Sequence, residues 1–184
     1  MTYYLVAVLD DSSYNCIERI QKEICYNYKL FDKKDKLPKL HITIETIDDP
    51  DLDKLIKLLS DILKGYSSFK VKSDGVICFD PPFKSVNLKI QDCDKALKLS
   101  KDINYILKKE KFKVREDIKD YALHISLANS YFSNKQWSDF EYASACNFAK
   151  ENNNENFIIT INELQLWKPV NNEREMIIYK FPLT

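Results

Sequence analysis

The sequence predicts an α+β fold of two lobes related by a pseudo-twofold axis, each lobe built on a βαβαβ unit. Three observations predict it. Apolar residues recur with a period near two in short runs rich in β-branched and aromatic side chains, and with a helical period in longer, capped segments. The order of these segments occurs twice. The interval from Tyr3 to His41 also matches that from Ser85 to His124 to within one residue, so the two copies stay in register. With 184 residues, 45% of them hydrophobic and 30% charged, the chain can bury one core. Residues 1–184 therefore read as a single bilobal domain, with a first repeat over about 1–80, a second over about 84–184, and no low-complexity linker between them.

In the first copy, Tyr3 to Leu9 is a strand. Asp11 and Ser12 can cap a helix through about Leu30 that carries Ile17, Ile20 and Ile24 on one face. A Lys-rich loop from Lys33 to Lys39 leads to a short strand, Leu40 to Ile47. Pro50 and Asp51 open a helix with Leu52, Leu55, Ile56, Leu59 and Leu63 on its apolar face, and Gly65 ends it. A strand from Phe69 to Phe79 stops at Pro81 and Pro82. The second copy begins with a strand from Ser85 to Ile90. A helix from Asp92 to Lys109 follows, and a Lys-rich connector from Lys108 to Lys119 leads to a short strand, Ala122 to Ala128. The remaining elements are a helix from Asn134 to Phe148, a strand from Phe157 to Trp167 and a terminal strand from Met176 to Phe181.

Composition excludes several functions. Lys and Arg number 28 and Asp and Glu 28, so the large basic excess of a nucleic-acid coat protein or a membrane-surface binder is missing. Only two glycines occur, Gly65 and Gly75. They cannot form the Gly-rich phosphate turns of a dinucleotide-binding fold or a Walker loop. No apolar run approaches membrane-spanning length, and Met1-Thr2-Tyr3-Tyr4 lacks the basic start of a signal peptide. The five cysteines, odd in number and without CxxC spacing, read as reduced core residues of a cytoplasmic protein.

The chain has two histidines, and both lie in the same pattern: Leu40-His41-Ile42-Thr43-Ile44 and Leu123-His124-Ile125-Ser126-Leu127. Side chains alternate faces along a strand. His41 and Thr43 therefore point one way and their apolar neighbours point into the core, and His124 and Ser126 repeat the arrangement. A lone His-x-Thr is ordinarily a satisfied polar pair on a half-exposed strand. Two copies in register, using every histidine in the chain, point to a shared site. Displacement at phosphorus needs a base for the attacking oxygen and an acid for the leaving oxygen. Two imidazoles with ordinary pKa values near 6.5 can supply both, while hydroxyls stabilise charge on the non-bridging oxygens. No ligand cluster accompanies the histidines, so neither a metal nor a cofactor is expected.

These paired His-x-Thr/Ser motifs, on equivalent strands of a duplicated unit, resemble the 2H phosphoesterase superfamily, which includes 2′-5′ RNA ligase-like proteins and cyclic phosphodiesterases. The resemblance covers essentially the whole chain and rests on the ten motif residues. It implies antiparallel sheets lining a central cleft with helices outside. It also implies His41 and His124 as the catalytic pair and Thr43 and Ser126 as phosphate-binding residues. The substrates it implies are 2′,3′-cyclic phosphates, ADP-ribose cyclic phosphate, 2′,5′-linked oligonucleotides or RNA 3′ ends. Two positions depart from the family pattern: Leu123 stands where the second motif often has Pro, and Asn129 where many ligase-like members carry Arg. These departures leave the subfamily open.

Weaker candidates surround the motifs. Lys39, on the His41 face by alternation, is the best of the connector cations for substrate contact; the others, Arg115 included, read mainly as solvated. Glu45 shares the same face by alternation. Tyr121, Tyr131 and Phe83 are candidates for a base-stacking platform, whereas Trp167 reads as strand core. The leading expectation is a monomeric, metal-independent phosphodiesterase that acts on a nucleotide or short RNA and needs no membrane. The alternatives are a non-catalytic module binding a nucleotide or RNA end in the same cleft, and an RNA ligase running the reaction in reverse.

Overall fold

Strands from the two halves of the chain interleave in one curled antiparallel sheet. The computed structural model describes residues 1–91, 94–116, 121–130, 133–153, 156–170 and 173–184. Its elements are β1 (Thr2–Val8), α1 (Asp11–Asn27), β2 (His41–Asp48), α2 (Leu52–Leu63), β3 (Phe69–Phe79), β4 (Ser85–Ile90), α3 (Asp94–Lys109) and β5 (Lys113–Val114). The chain continues through β6 (His124–Asn129), α4 (Asp139–Asn152), β7 (Ile158–Ile161), β8 (Glu163–Trp167), α5 (Glu173–Met176) and β9 (Ile177–Pro182). The strand order is β7-β3-β4-β6-β2-β1-β8-β9, with β5 added to the end of β2. The motif strands β2 and β6 lie side by side at its centre.

The halves exchange partners. β3, from the first half, pairs with β4 of the second, and β8, from the second, pairs with β1 of the first. The helices cross over in the same way: α1 packs on β6 and α3 on β2. Each motif strand is thus backed by a helix from the other half. The interlayer between them holds Leu5, Ile42, Leu88 and Ile125 from the sheet and Ile17, Ile24, Leu99 and Ile103 from the helices, all essentially inaccessible. Burying each such side chain contributes roughly 1.5–3 kcal/mol. On α2, Leu55, Leu59 and Leu63 face inward, as the helical spacing predicts.

Four local differences from the sequence expectation have physical causes. Asp10, one residue before the expected cap, closes α1 by accepting from the Ser13 amide at 3.1 Å. α4 starts at Asp139, not Asn134, because Ser138 and Glu141 form a capping box. The residues before it are spent on the loop, where the Asn134 amide donates to Leu30 and Trp137 Nε1 to the Lys84 carbonyl. The expected strand from Phe157 to Trp167 breaks at Asn162, since β7 pairs with β3 and β8 with β1. The short elements β5 and α5 have no periodicity long enough to show in sequence.

The cysteines are not all reduced, contrary to the expectation from their number and spacing. Cys78 on β3 and Cys146 on α4 form a disulfide, with Cα atoms 6.2 Å apart. Their 68-residue separation hid the pairing, which arises only because α4 packs across β3. Cys16 and Cys25 are free thiols, and burial pushes the Cys25 thiol up to about 12.

Candidate active site

β2 and β6 meet at Ile42 and Ile125, which are paired antiparallel and buried against the helices. By that register His41 lies across from Ser126, and Thr43 across from His124, on the opposite face of the sheet. All four are half-buried. The local geometry is repeated: His41 Nδ1 donates to the Lys39 carbonyl at 2.8 Å, and His124 Nδ1 donates to the Ala122 carbonyl at 2.8 Å. A carbonyl can only accept, so each neutral ring carries its proton on Nδ1 and leaves Nε2 as the basic nitrogen.

Aromatic side chains hold both rings. Trp167, at the end of β8, meets His41 edge-on with centroids 4.8 Å apart, and Phe79, at the end of β3, meets His124 in the same manner at 4.9 Å. Trp167 is buried, as a strand-core residue should be, and its indole N–H is satisfied by Gln165 at 2.7 Å. Sequence reasoning missed the service Phe79 and Trp167 give the histidines. The signal was available: both close the long third strand of their copy.

Burial pushes both imidazole pKa values below the ordinary 6.5, against the opposing effect of the backbone carbonyl each ring binds. Repulsion from a charged His124 lowers His41 further, and the Arg115 guanidinium does the same to His124. Near neutral pH the free site therefore holds two uncharged imidazoles. An anion bound between them would favour protonation of one.

The hydroxyls differ. Ser126 Oγ donates to Asn87 Oδ1 at 2.9 Å, whereas the Thr43 hydroxyl has no hydrogen bond among the described residues. Among the other candidates, Lys39 Nζ sits 5.9 Å from the centroid of the Trp167 ring, the ring that also meets His41. Tyr121 lies 5.9 Å from His124 between ring centroids, and its hydroxyl donates to the Thr43 carbonyl at 3.3 Å, tying the two motifs together. Phe83 is 69% exposed in the β3–β4 turn and touches neither histidine ring among the described residues. Tyr131 lies outside the described residues.

Alternation misplaces Glu45, and the cause is a bulge. Leu5 pairs with Glu45 and Val6 with Thr43, so Ile44 is passed over and both Ile44 and Glu45 are buried. Glu45 is held by Asn104 of α3 at 2.7 Å, by the Arg115 amide at 3.3 Å and by the Thr46 amide at 2.8 Å. It does not share the face of His41 and Thr43. Arg115, grouped by sequence with the solvated connector cations, is only 16% exposed. Its guanidinium stacks 3.5 Å over the Tyr121 ring, and its Nε is 3.8 Å from Glu45.

Among the described residues no three His, Cys, Asp or Glu side chains gather to hold a metal ion, and no helix is long and apolar enough to cross a membrane. Residues 9–173 match the 2′-5′ RNA ligase superfamily. The chain belongs to that family. Its fold is also that of solved structures with low sequence identity. TT0787 of Thermus thermophilus is 12% identical with a TM-score of 0.66, the alignment covering 100% of this chain and 98% of that one. E. coli LigT in complex with 3′-AMP is 14% identical with a TM-score of 0.59, covering 99% and 97%. Kluyveromyces marxianus Usb1 is 15% identical with a TM-score of 0.50, covering 99% and 98%. No curated protein matches the sequence.

Proposed function

We propose that this protein is a metal-independent phosphodiesterase acting on a 2′,3′-cyclic phosphate or a 2′,5′-linked nucleotide at the end of a short RNA or a free nucleotide. The observation that carries the reading is the meeting of β2 and β6 at Ile42 and Ile125, with each Nδ1 committed to a backbone carbonyl and each Nε2 left for proton transfer. One imidazole takes a proton from the attacking water as its oxygen bonds to phosphorus. The phosphorus–oxygen bond to the departing ribose oxygen breaks, and the other histidine, as imidazolium, protonates that oxygen. Thr43 and Ser126 flank the phosphoryl group, and Lys39 and Tyr121 lie within reach of the rest of the substrate.

Membership of the superfamily supports chemistry at RNA phosphodiester ends. The LigT complex with 3′-AMP and a Usb1 structure with uridine monophosphate support a nucleotide ligand. The test is hydrolysis, in excess EDTA, of a short RNA ending in a 2′,3′-cyclic phosphate and of a 2′,5′-linked oligoadenylate, with His41→Ala and His124→Ala as controls. Product that disappears in both variants supports the reading. Tight binding of either oligonucleotide with no product after long incubation would instead favour a non-catalytic binding module.

A further inference from the structure

Asn87 breaks the symmetry of the two motif hydroxyls. It lies on β4 directly across from Ser126 and is completely buried. Its amide orientation is determined by its neighbours: Nδ2 faces the Ile77 carbonyl at 3.3 Å, the Ser85 carbonyl at 3.2 Å and Ser85 Oγ at 3.0 Å. Turning the amide over would set Oδ1 against two carbonyl oxygens. Oδ1 therefore faces Ser126 and can only accept, so the single hydroxyl proton of Ser126 is committed to it. The residue across from Thr43 is Val6, which is equally buried and offers nothing polar to bond. Among the described residues the Thr43 hydroxyl has no partner, and its proton is available to a ligand.

Resting on the phosphodiesterase reading, we propose that Asn87 is a positioning residue that makes Ser126 a hydrogen-bond acceptor in the cleft, leaving Thr43 as the motif hydroxyl that donates to the phosphoryl oxygens. Ser126 then receives a proton-bearing group of the reaction, either a ribose hydroxyl or the attacking water. If Ser126 turned its proton toward phosphate, a fully buried amide oxygen would be left without a donor. The two halves of the site thus bind chemically different parts of the substrate, although their sequence motifs look alike.

Inorganic phosphate at alkaline pH is a suitable probe, because its dianion offers mainly acceptor oxygens. Its binding is measured by calorimetry for the intact protein and for Thr43→Ala, Ser126→Ala, Asn87→Val and Asn87→Val/Ser126→Ala. Asn87→Val copies the Val6 environment of Thr43 and releases the Ser126 proton. Thr43→Ala should weaken phosphate about tenfold or more, the contribution of one charge-assisted hydrogen bond. Ser126→Ala should weaken it several-fold less than Thr43→Ala does. Asn87→Val should tighten it several-fold, and the double variant should lose that gain, a reversal that a merely structural role for Asn87 would not produce. Equal weakening by Thr43→Ala and Ser126→Ala would overturn the asymmetry while leaving the site itself standing. Ser126→Ala decides this even if Asn87→Val fails to fold. Phosphate binding that neither Thr43→Ala nor His124→Ala alters would overturn the site and this inference together.

Discussion

Ile42 and Ile125 pair at the seam between β2 and β6, and both face the helices. Because side chains alternate along a strand, this buried apolar pair turns its four neighbours, His41, Thr43, His124 and Ser126, toward the other side of the sheet. The site is in effect the back of the core. Its geometry depends on packing that the histidines themselves do not touch.

Loss of either ring should be severe. His41→Ala and His124→Ala are each expected to lower kcat on the true substrate by roughly 10²–10⁴-fold, the usual share of a positioned proton-transfer group. The double variant should be little worse than either single one, since the two steps form one displacement. Single-turnover rates, with circular dichroism to confirm folding, check this. Near-normal turnover in either single variant would refute the two-histidine mechanism.

The pH profile should be displaced to the acid side. Burial, chiefly, holds both imidazoles below 6.5 in the free protein, so the form with one ring protonated and one neutral is most abundant below that pH. The maximum of kcat/KM is expected there. The maximum of kcat should lie at higher pH, because bound phosphate stabilises the imidazolium. A kcat/KM that still rises above about pH 7.5 would contradict this.

Folding stability carries the same signature with a definite sign. A histidine whose folded pKa lies below its unfolded value binds fewer protons when folded. Stability is therefore full above about pH 6.5, and it falls as the unfolded chain protonates below that. Urea denaturation between about pH 7.5 and 5 should show the decline, with a slope of at most about 1.4 kcal/mol per pH unit for each histidine. His41→Gln should flatten it. A slope unchanged in that variant would mean that other groups dominate.

Glu45 is a structural charge. It is fully buried and receives hydrogen bonds from Asn104 and from the Thr46 and Arg115 amides. Glu45→Ala should cost roughly 3–5 kcal/mol, as breaking a buried ion pair does. Glu45→Gln/Arg115→Met should recover part of that loss. Equilibrium unfolding of the three proteins tests the coupling, and a cost for Glu45→Ala below about 1 kcal/mol would show that Arg115 and Asn104 are satisfied without it.

Much of the architecture was legible because local patterns carry it. The alternation in Leu40 to Ile44 and Leu123 to Leu127 put the polar pairs on one face, and the leucine spacing of α2 named its buried side. Periodicity fails where a contact is long-range. The bulge at Ile44 shifts Glu45 into the core, and Asn162 divides one expected strand between two partners.

By itself the sequence determined the duplicated order of strands and helices and the pairing of each histidine with a hydroxyl two residues on. These depend on the repeat of side-chain type along a few consecutive residues. Tertiary structure alone decided that β3 and β8 cross to the other half, that Cys78 meets Cys146, and that Asn87 engages Ser126 while Val6 offers Thr43 nothing polar. Each of these is a meeting of residues distant in sequence, set by sheet order and helix packing, and no local pattern encodes which partner a strand will find.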